Sequence, residues 1–427
     1  MDLSIEGRAF VNGCLENCCI GITDGKICVV KKILRAAEHH DFKNKLILPA
    51  GIDMHVHFRD PGSAYKEDFS TGTLAAAHGG ISCVFDMPNT IPQTTTLQTI
   101  SDKIVVGEEK AHVDFGVYAG VTDRNVENIE ELAKRCCGFK IYLGNTTNYL
   151  RFNTDNLKET FNRIELTNKP VLIHAEDEQC LAKHKINERD LIDHLRSHPP
   201  KCEEIAINSI FAASRKSKAK IHICHLSSQE GLELLRTRSK NITCGVTPHH
   251  LLFAADKNLD PQAWYKANPP LRTSFDRTSL FGGIKNNLID VLESDHAPHT
   301  LEEKERDFDE APSGVPGVET MFPLLLFEVR KGNLALGRLV SLLCEKPSSL
   351  LNVSKGRIEE GKDADLIVVD LKEQTKIKAE NLYSKCGWSP FEGMPAVFPT
   401  DLFVRGERIM AERELIGERG FGRFVGA

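Results

Sequence analysis

The sequence predicts an α/β protein: a (β/α)8 barrel accompanied by a small β-sandwich domain formed by the N- and C-terminal segments. Three observations lead there. Short apolar runs alternate with helix-like stretches through roughly 300 central residues. Eight such runs can be counted, and both ends of the chain are rich in β-branched residues and tight turns.

Residues 1–48 open the chain with strand texture. Thr23-Asp24-Gly25-Lys26 reads as a hairpin turn into the strand Ile27-Cys28-Val29-Val30. The strand candidates of the central region are 46–53, 81–86, 113–121, 138–143, 171–174, 220–225, 242–246 and 289–295. Helix-like stretches lie between and after them, at 97–111, 126–135, 203–215, 229–236 and 323–331. Eight β/α units favour a closed barrel over an open doubly wound sheet. No Gly-x-Gly-x-x-Gly or Walker loop follows a strand, which argues against nucleotide binding. Beyond residue 350 the strand texture returns. The turn Glu360-Gly361-Lys362-Asp363 leads into Asp365-Leu366-Ile367-Val368-Val369-Asp370, and Leu402-Phe403-Val404-Arg405-Gly406-Glu407 is a second strand. The expected division is residues 1–48 and 351–427 for the β-sandwich and 49–350 for the barrel.

Composition narrows the function classes. The 427 residues are 41% hydrophobic and 27% charged, an ordinary globular balance able to bury a large core. The net charge of −6 gives no field that would attract nucleic acid or an anionic membrane. No apolar run approaches a membrane span, and Met1-Asp2-Leu3-Ser4-Ile5-Glu6 lacks a signal-peptide pattern. The 13 cysteines are odd in number and scattered, which reads as reduced thiols in a cytoplasmic protein rather than a disulfide framework. Cys14, Cys18, Cys19 and Cys28 cluster near the start, but without a Cys-x-x-Cys pair they read as small buried residues of a β-rich segment.

The chemistry gathers at strand ends. His55 and His57 follow the first barrel strand, and residues i and i+2 of an extended chain face the same way. His174, His225 and Asp295 end three further strands. In a (β/α)8 barrel those ends form the active face. Four imidazoles and a carboxylate on one rim suit a borderline divalent ion such as zinc. Five ligands are too many for one ion; two ions, ~3.5–4 Å apart, need a bridge between them. Lys140, in Gly138-Phe139-Lys140-Ile141-Tyr142, is open to two readings: a strand lysine whose amine reaches solvent, or an amine converted by carbon dioxide into an anionic carbamate.

The motifs carry a resemblance. His55-Val56-His57-Phe58-Arg59-Asp60-Pro61-Gly62 resembles the signature of class I dihydroorotases in the amidohydrolase superfamily. Asp86-Met87-Pro88-Asn89-Thr90, the Lys140 block, Asn268-Pro269-Pro270-Leu271-Arg272, Ser294-Asp295-His296-Ala297-Pro298-His299 and Gly387-Trp388-Ser389-Pro390-Phe391 match further blocks in order, over essentially the whole chain. The lysine at 140 resembles the carboxylated-lysine branch.

The resemblance implies two Zn2+ ions: His55, His57 and Asp295 on one, His174 and His225 on the other, with N6-carboxylysine at Lys140 and a hydroxide bridging them. It implies attack of that hydroxide on the ring amide of dihydroorotate, with Asp295 as the proton carrier. The product would be N-carbamoyl-L-aspartate, and the reverse closure the step used in pyrimidine (UMP) biosynthesis. Candidate substrate contacts are His57, Arg59, Asn89, Asn268, His299, Ser313 and Gly314. Arg59 shares the face of His57 and offers a planar fork to the substrate carboxylate. Residues 300–316 read as a loop over the site, and Gly144-Asn145-Thr146-Thr147-Asn148 as a second lid. His222, His249, His250 and His296 read as bystanders, and Cys224 as barrel packing. The expected partner is a small-molecule substrate, with a homodimer or association with aspartate transcarbamoylase as the assembly. The rivals are an allantoinase or dihydropyrimidinase-like enzyme, which would not need the carboxylate-binding set, an inactive dihydroorotase-like scaffold for a partner enzyme, which would have lost metal ligands, and a metal-storage protein, which would not need the arginine.

Overall fold

The structure, a computed structural model, describes residues 1–144 and 150–426. Eight parallel strands follow one another in chain order: Gly51–Val56, Ile81–Asp86, Asp114–Gly120, Gly138–Tyr142, Pro170–His174, Lys220–Ile223, Ile242–Val246 and Val291–Leu292. The ring is completed by a bridge between Val56 and His296, with the His57 amide donating to the His296 carbonyl at 2.8 Å. The strands are buried on both faces, so they read as near-continuous apolar runs rather than alternating ones. Ile52, Met54, Phe85, Tyr118, Leu172 and Val291 fill the barrel interior. Phe115, Phe139, Ile173 and Val246 pack outward into a larger core beneath the helices. Several of those helices begin on side-chain caps: Asp68 for Phe69–His78, Thr96 for Leu97–Lys110 and Thr273 for Ser274–Lys285, each accepting from a backbone amide of the first turn.

The (β/α)8 barrel is as expected, but two of its strands differ from the sequence reading. The apolar run 46–53 is split. Its first part ends the strand Glu38–Pro49 of a different sheet, and the barrel strand starts at Gly51. The chain changes sheets at Ala50, whose amide donates to Asp365 at 3.0 Å. Two buried strands joined without a polar turn look like one to any periodicity argument. At the other end, the run 289–295 forms ladder pairs only over Val291–Leu292, because the chain then turns into the barrel mouth, with Asp295 at φ 47°.

The companion domain is one eight-stranded sheet drawn from both chain ends, in the order Glu414–Leu415, Glu407–Ala411, Asp401–Val404, Leu366–Val369, Glu38–Pro49, Leu3–Val11, Cys14–Thr23, Lys26–Lys31. The expected turn at Asp24-Gly25 has positive φ at both residues, 51° and 74°, as a two-residue hairpin requires. Ile5, Ile20, Ile47, Leu366 and Phe403 form this sheet's own core. Buried Lys355 joins sheet to barrel: its Nζ lies 2.7 Å from Asp114 and 2.7 Å from Asp365. A segment of the C-terminal region leaves the sheet and returns to the barrel mouth. Glu319 accepts from the Tyr383 amide at 3.0 Å, Glu67 accepts from the Ser384 hydroxyl at 2.5 Å, and the buried Trp388 indole donates to the His299 carbonyl at 2.8 Å.

The expectation of reduced thiols throughout needs one correction: Cys180 and Cys202 form a disulfide. Their separation of 22 residues carries no motif. The pairing arises because the Asp177 amide donates to the Cys202 carbonyl at 3.0 Å, which lays Glu178–His184 beside Pro200–Ser214. The N-terminal cysteines form no such pair: Cys18 and Cys19 are buried free thiols, and Cys14 and Cys28 are exposed. Among the described residues, no helix is long and apolar enough to cross a membrane.

Candidate active site

The mouth of the barrel holds a cavity of about 260 Å3 lined by His55, His57, Arg59, Asn89, Lys140, Tyr142, His174, His225, Asn268, Asp295, His299, Ser313 and Gly314, with Ala297 and Pro312. Every residue singled out from the sequence as a ligand or substrate contact is therefore on one wall or another of one pocket. Residues 145–148 of the second lid reading lie outside the described residues.

The imidazoles converge. His55 Nε2 and His57 Nε2 lie 3.2 and 3.1 Å from the same Asp295 oxygen, and His174 Nδ1 lies 3.1 Å from His225 Nε2. The rings of His55 and His225 are 5.3 Å apart, which joins the two pairs into one cluster. The outer nitrogens of three rings are anchored by acceptors: His57 Nδ1 on Asn89 Oδ1 at 2.6 Å, His55 Nδ1 on Glu293 at 3.3 Å, His174 Nε2 on Glu176 at 3.0 Å. Such acceptors take the ring proton and leave the inner nitrogen's lone pair for a cation. Burial first, then Lys140, pushes His55 down to about 4, so the ring is neutral at physiological pH. Burial alone would push the Asp295 carboxyl up, but His55, His57 and His225 outweigh it and hold it well below its usual range. The nitrogens of His55 and His57 with an Asp295 oxygen lie within 4.8 Å of one another, close enough to share one ion.

Lys140 is fully buried. Its Nζ has the Cys224 thiol at 3.1 Å and the face of the Tyr142 ring, centroid 5.1 Å away. An ammonium has three donors and no acceptor, and these are poor partners for it. Conversion to a carbamate would remove that mismatch and place two anionic oxygens beside the histidines. The donor set therefore fits a pair of divalent ions.

Three residues at the mouth have left-handed backbones that glycine would adopt more easily: Arg59 at φ 61°, His225 at 35° and Asp295 at 47°. Strain of this kind is retained where the surroundings over-determine a side-chain direction, commonly at functional sites. The half-buried Arg59 donates from Nε to the Pro298 carbonyl at 3.3 Å and lies against His299, with Nη2 3.3 Å from Nε2. Lys66 donates to His299 Nδ1 at 3.1 Å, so the His299 Nε2–H is the donor to the Ser313 carbonyl, also at 3.1 Å. Burial and the cations Arg59, Lys66 and Lys304 push His299 down to about 3, which keeps it neutral. Asn268 lines the cavity, and its buried Oδ1 has no hydrogen-bond partner among the described residues. Gly314 has its amide on the Lys266 carbonyl at 2.9 Å, and a Cβ there would lie 2.5 Å from the Ala297 carbonyl oxygen.

Three residues that the sequence reading passed over belong to the site. Tyr142 lines the cavity, and its buried hydroxyl has no hydrogen-bond partner among the described residues. Glu176 holds His174. Glu293 holds His55 and accepts from the His225 amide, while His222 approaches it to 3.4 Å. Gly245 makes room for Glu293: a Cβ there would sit 2.3 Å from its Oε1. The i, i+2 spacing used for His55 and His57 would have found the first two, at Lys140+2 and His174+2. Two other bystander histidines are held as structure: His250 on Thr247 and the Pro269 carbonyl, and His296 accepting from the Gly317 amide.

Residues 46–408 match the model of the amidohydrolase family. A dihydroorotase of Methanosarcina acetivorans is 39% identical, covering 99% of this chain and 95% of its own. One from Methanothermobacter thermautotrophicus is 37% identical over 100% and 97%, and one from Pyrococcus abyssi 36% identical over 100% and 99%. Among solved structures, an L-hydantoinase (dihydropyrimidinase) from Arthrobacter aurescens superposes with a TM-score of 0.96 at 29% identity, over 100% of both chains. A dihydropyrimidinase from Brevibacillus agri gives 0.91 at 26%, over 100% of this chain and 98% of its own.

Proposed function

This chain belongs to the amidohydrolase family, and from that premise we infer that it is a dihydroorotase. It opens the ring of dihydroorotate to N-carbamoyl-L-aspartate by hydrolysis, and in the reverse direction closes the ring for UMP biosynthesis. The observation that carries the assignment within the family is Arg59. A half-buried guanidinium opens onto a cavity whose other wall is the histidine cluster. Dihydroorotate has a carboxylate for that fork, whereas the rings of dihydrouracil and allantoin have none.

His55, His57 and Asp295 would hold one Zn2+, His174 and His225 a second, with carboxylated Lys140 between them. Bound there, such ions acidify a water towards pKa ~7 and polarise a carbonyl. The chain's own residues do the rest. Arg59 binds the substrate carboxylate, and Asn268 and the Ser313-Gly314 edge flank the ring. Asn89 fixes the His57 tautomer, and Tyr142 offers a hydroxyl donor to a substrate oxygen. Asp295, ionised and central, accepts the proton of the attacking water and returns it to the ring nitrogen as the carbon–nitrogen bond breaks. In the reverse direction the same carboxyl gives and takes the proton in the opposite order.

The superposition on hydantoinases favours a second reading, a carboxylate-indifferent cyclic amidase. One assay separates the two: metal-loaded protein offered dihydroorotate, allantoin and dihydrouracil, read by ring opening. The dihydroorotase reading expects a preference of about a hundredfold or more for dihydroorotate, because a site built around a polar group rejects substrates lacking it. A preference for dihydrouracil or allantoin overturns it. The assembly that accompanies this reading, a homodimer or a complex with aspartate transcarbamoylase, is measured by sedimentation of the chain alone and with that enzyme.

A further inference from the structure

Lys304 ends the short helix Leu301–Lys304 and is fully buried, yet it touches neither the cavity nor the histidine cluster. Its ammonium donates to three backbone carbonyls: Pro312 at 2.9 Å, Gly314 at 3.2 Å and Lys266 at 3.4 Å. All three N–H directions of an ammonium are thus used on main-chain acceptors. The face of Trp388 lies under it, with the ring centroid 5.4 Å from Nζ, and the same indole donates to the His299 carbonyl. Placing a cation here is costly. Burial and the neighbouring Lys266 push the ammonium down to about 7. A methionine or leucine would fill the space without that cost, unless the three carbonyls need a common donor.

Those carbonyls belong to the two segments that wall the substrate end of the cavity. Lys266 lies two residues before Asn268, and Pro312 and Gly314 flank Ser313, whose carbonyl fixes the His299 ring. The Gly314 amide also donates to Lys266, so a second hydrogen bond crosses the same seam. We propose that Lys304 is a positioning residue for the substrate-binding wall: its buried side chain ties the 266–268 segment to the 312–314 segment and so holds Asn268, Ser313 and His299 in register for the ring and its carboxylate. This rests on the dihydroorotase reading for the identity of the substrate.

The test compares the metal-loaded wild type with Lys304→Met, Lys304→Gln and Lys304→Arg. Metal content and circular dichroism are measured first, then KM and kcat for dihydroorotate. Methionine keeps the volume and removes every donor; glutamine keeps two donors; arginine keeps the charge. The expected result for methionine is a KM raised about ten- to a hundredfold, with kcat within about threefold of wild type and metal content unchanged. Arginine, retaining donors, recovers at least part of the KM. A KM left at the wild-type value, or a loss of kcat and metal content in proportion to any loss of affinity, overturns the proposal. If the methionine variant does not fold, the glutamine variant is read by the same criteria. Wild-type protein that fails to open dihydroorotate refutes the substrate reading instead, before any variant is compared.

Discussion

Replacing Arg59 by methionine removes the fork but keeps most of the side-chain volume, so its effect is a measure of carboxylate recognition. In the structure the side chain is half-buried, held by Pro298 and set against His299, and its contacts lie on the substrate side of the pocket rather than on the histidine cluster. A hydrogen bond to a charged group contributes roughly 1.5–3 kcal/mol, and losing one partner of a buried charge pair costs about 2–5 kcal/mol. At about 1.36 kcal/mol per decade, a loss of ~3–4 kcal/mol lowers kcat/KM for dihydroorotate by about 10²–10³. Dihydrouracil, which presents no carboxylate, should show a kcat/KM within about threefold of the wild-type value for that ring. Arg59→Lys should fall between, because the charge survives and the planar geometry does not. The assay is ring opening with both substrates on protein whose metal content has been measured. Equal losses with the two substrates, or loss of metal, would refute the assignment of Arg59 to the carboxylate.

Asp295→Asn should lower kcat by about 10³ or more with the circular dichroism unchanged, since it removes the proton carrier from a buried position; turnover within tenfold of wild type contradicts that role. Lys140→Ala should lower bound metal and activity together, and short carboxylic acids should restore part of both; unchanged metal content would remove Lys140 as a bridge. Acid sensitivity should have a contribution from Glu188. Burial opposes its charge, but the hydrogen bond from His194 at 2.8 Å and nearby Lys266 outweigh it and hold the carboxyl at about 2, against 4.5 ordinarily. The unfolded chain therefore takes up this proton first as pH falls. The stabilisation is complete above about pH 4.5 and is lost on descending towards pH 2. Glu188→Gln should flatten that part of the Tm–pH curve, and an identical acid limb in both proteins would exclude the contribution.

The gathering of four histidines and Asp295 was legible because they stand at the ends of apolar runs and because alternation puts His55 and His57 on one face. The barrel was legible from the repeated β/α texture. What escaped has definite causes. Ala50 passes from one sheet to another without a polar residue, so hydropathy alone merges two strands. Glu293 reaches His55 and the His225 amide only because Gly245 beside it has no side chain. Cys180 and Cys202 meet through helix placement and not through spacing. The carbonyls gathered by Lys304 have no side-chain identity at all, so no residue pattern could announce them. Tyr142 and Glu176, by contrast, stand two residues after Lys140 and His174 and are within reach of the alternation rule.

The return of residues 383–388 to the barrel mouth bears on when the enzyme becomes competent during its synthesis. The ribosome has delivered all eight barrel strands well before Trp388 emerges, yet it is this indole that braces the His299 carbonyl and underlies Lys304. A nascent chain can therefore assemble its histidine cluster early while its grip on the ring stays unfinished. Occupancy by metal and affinity for the ring should then be acquired at separate moments of biogenesis, the second only once this late-made strap has docked.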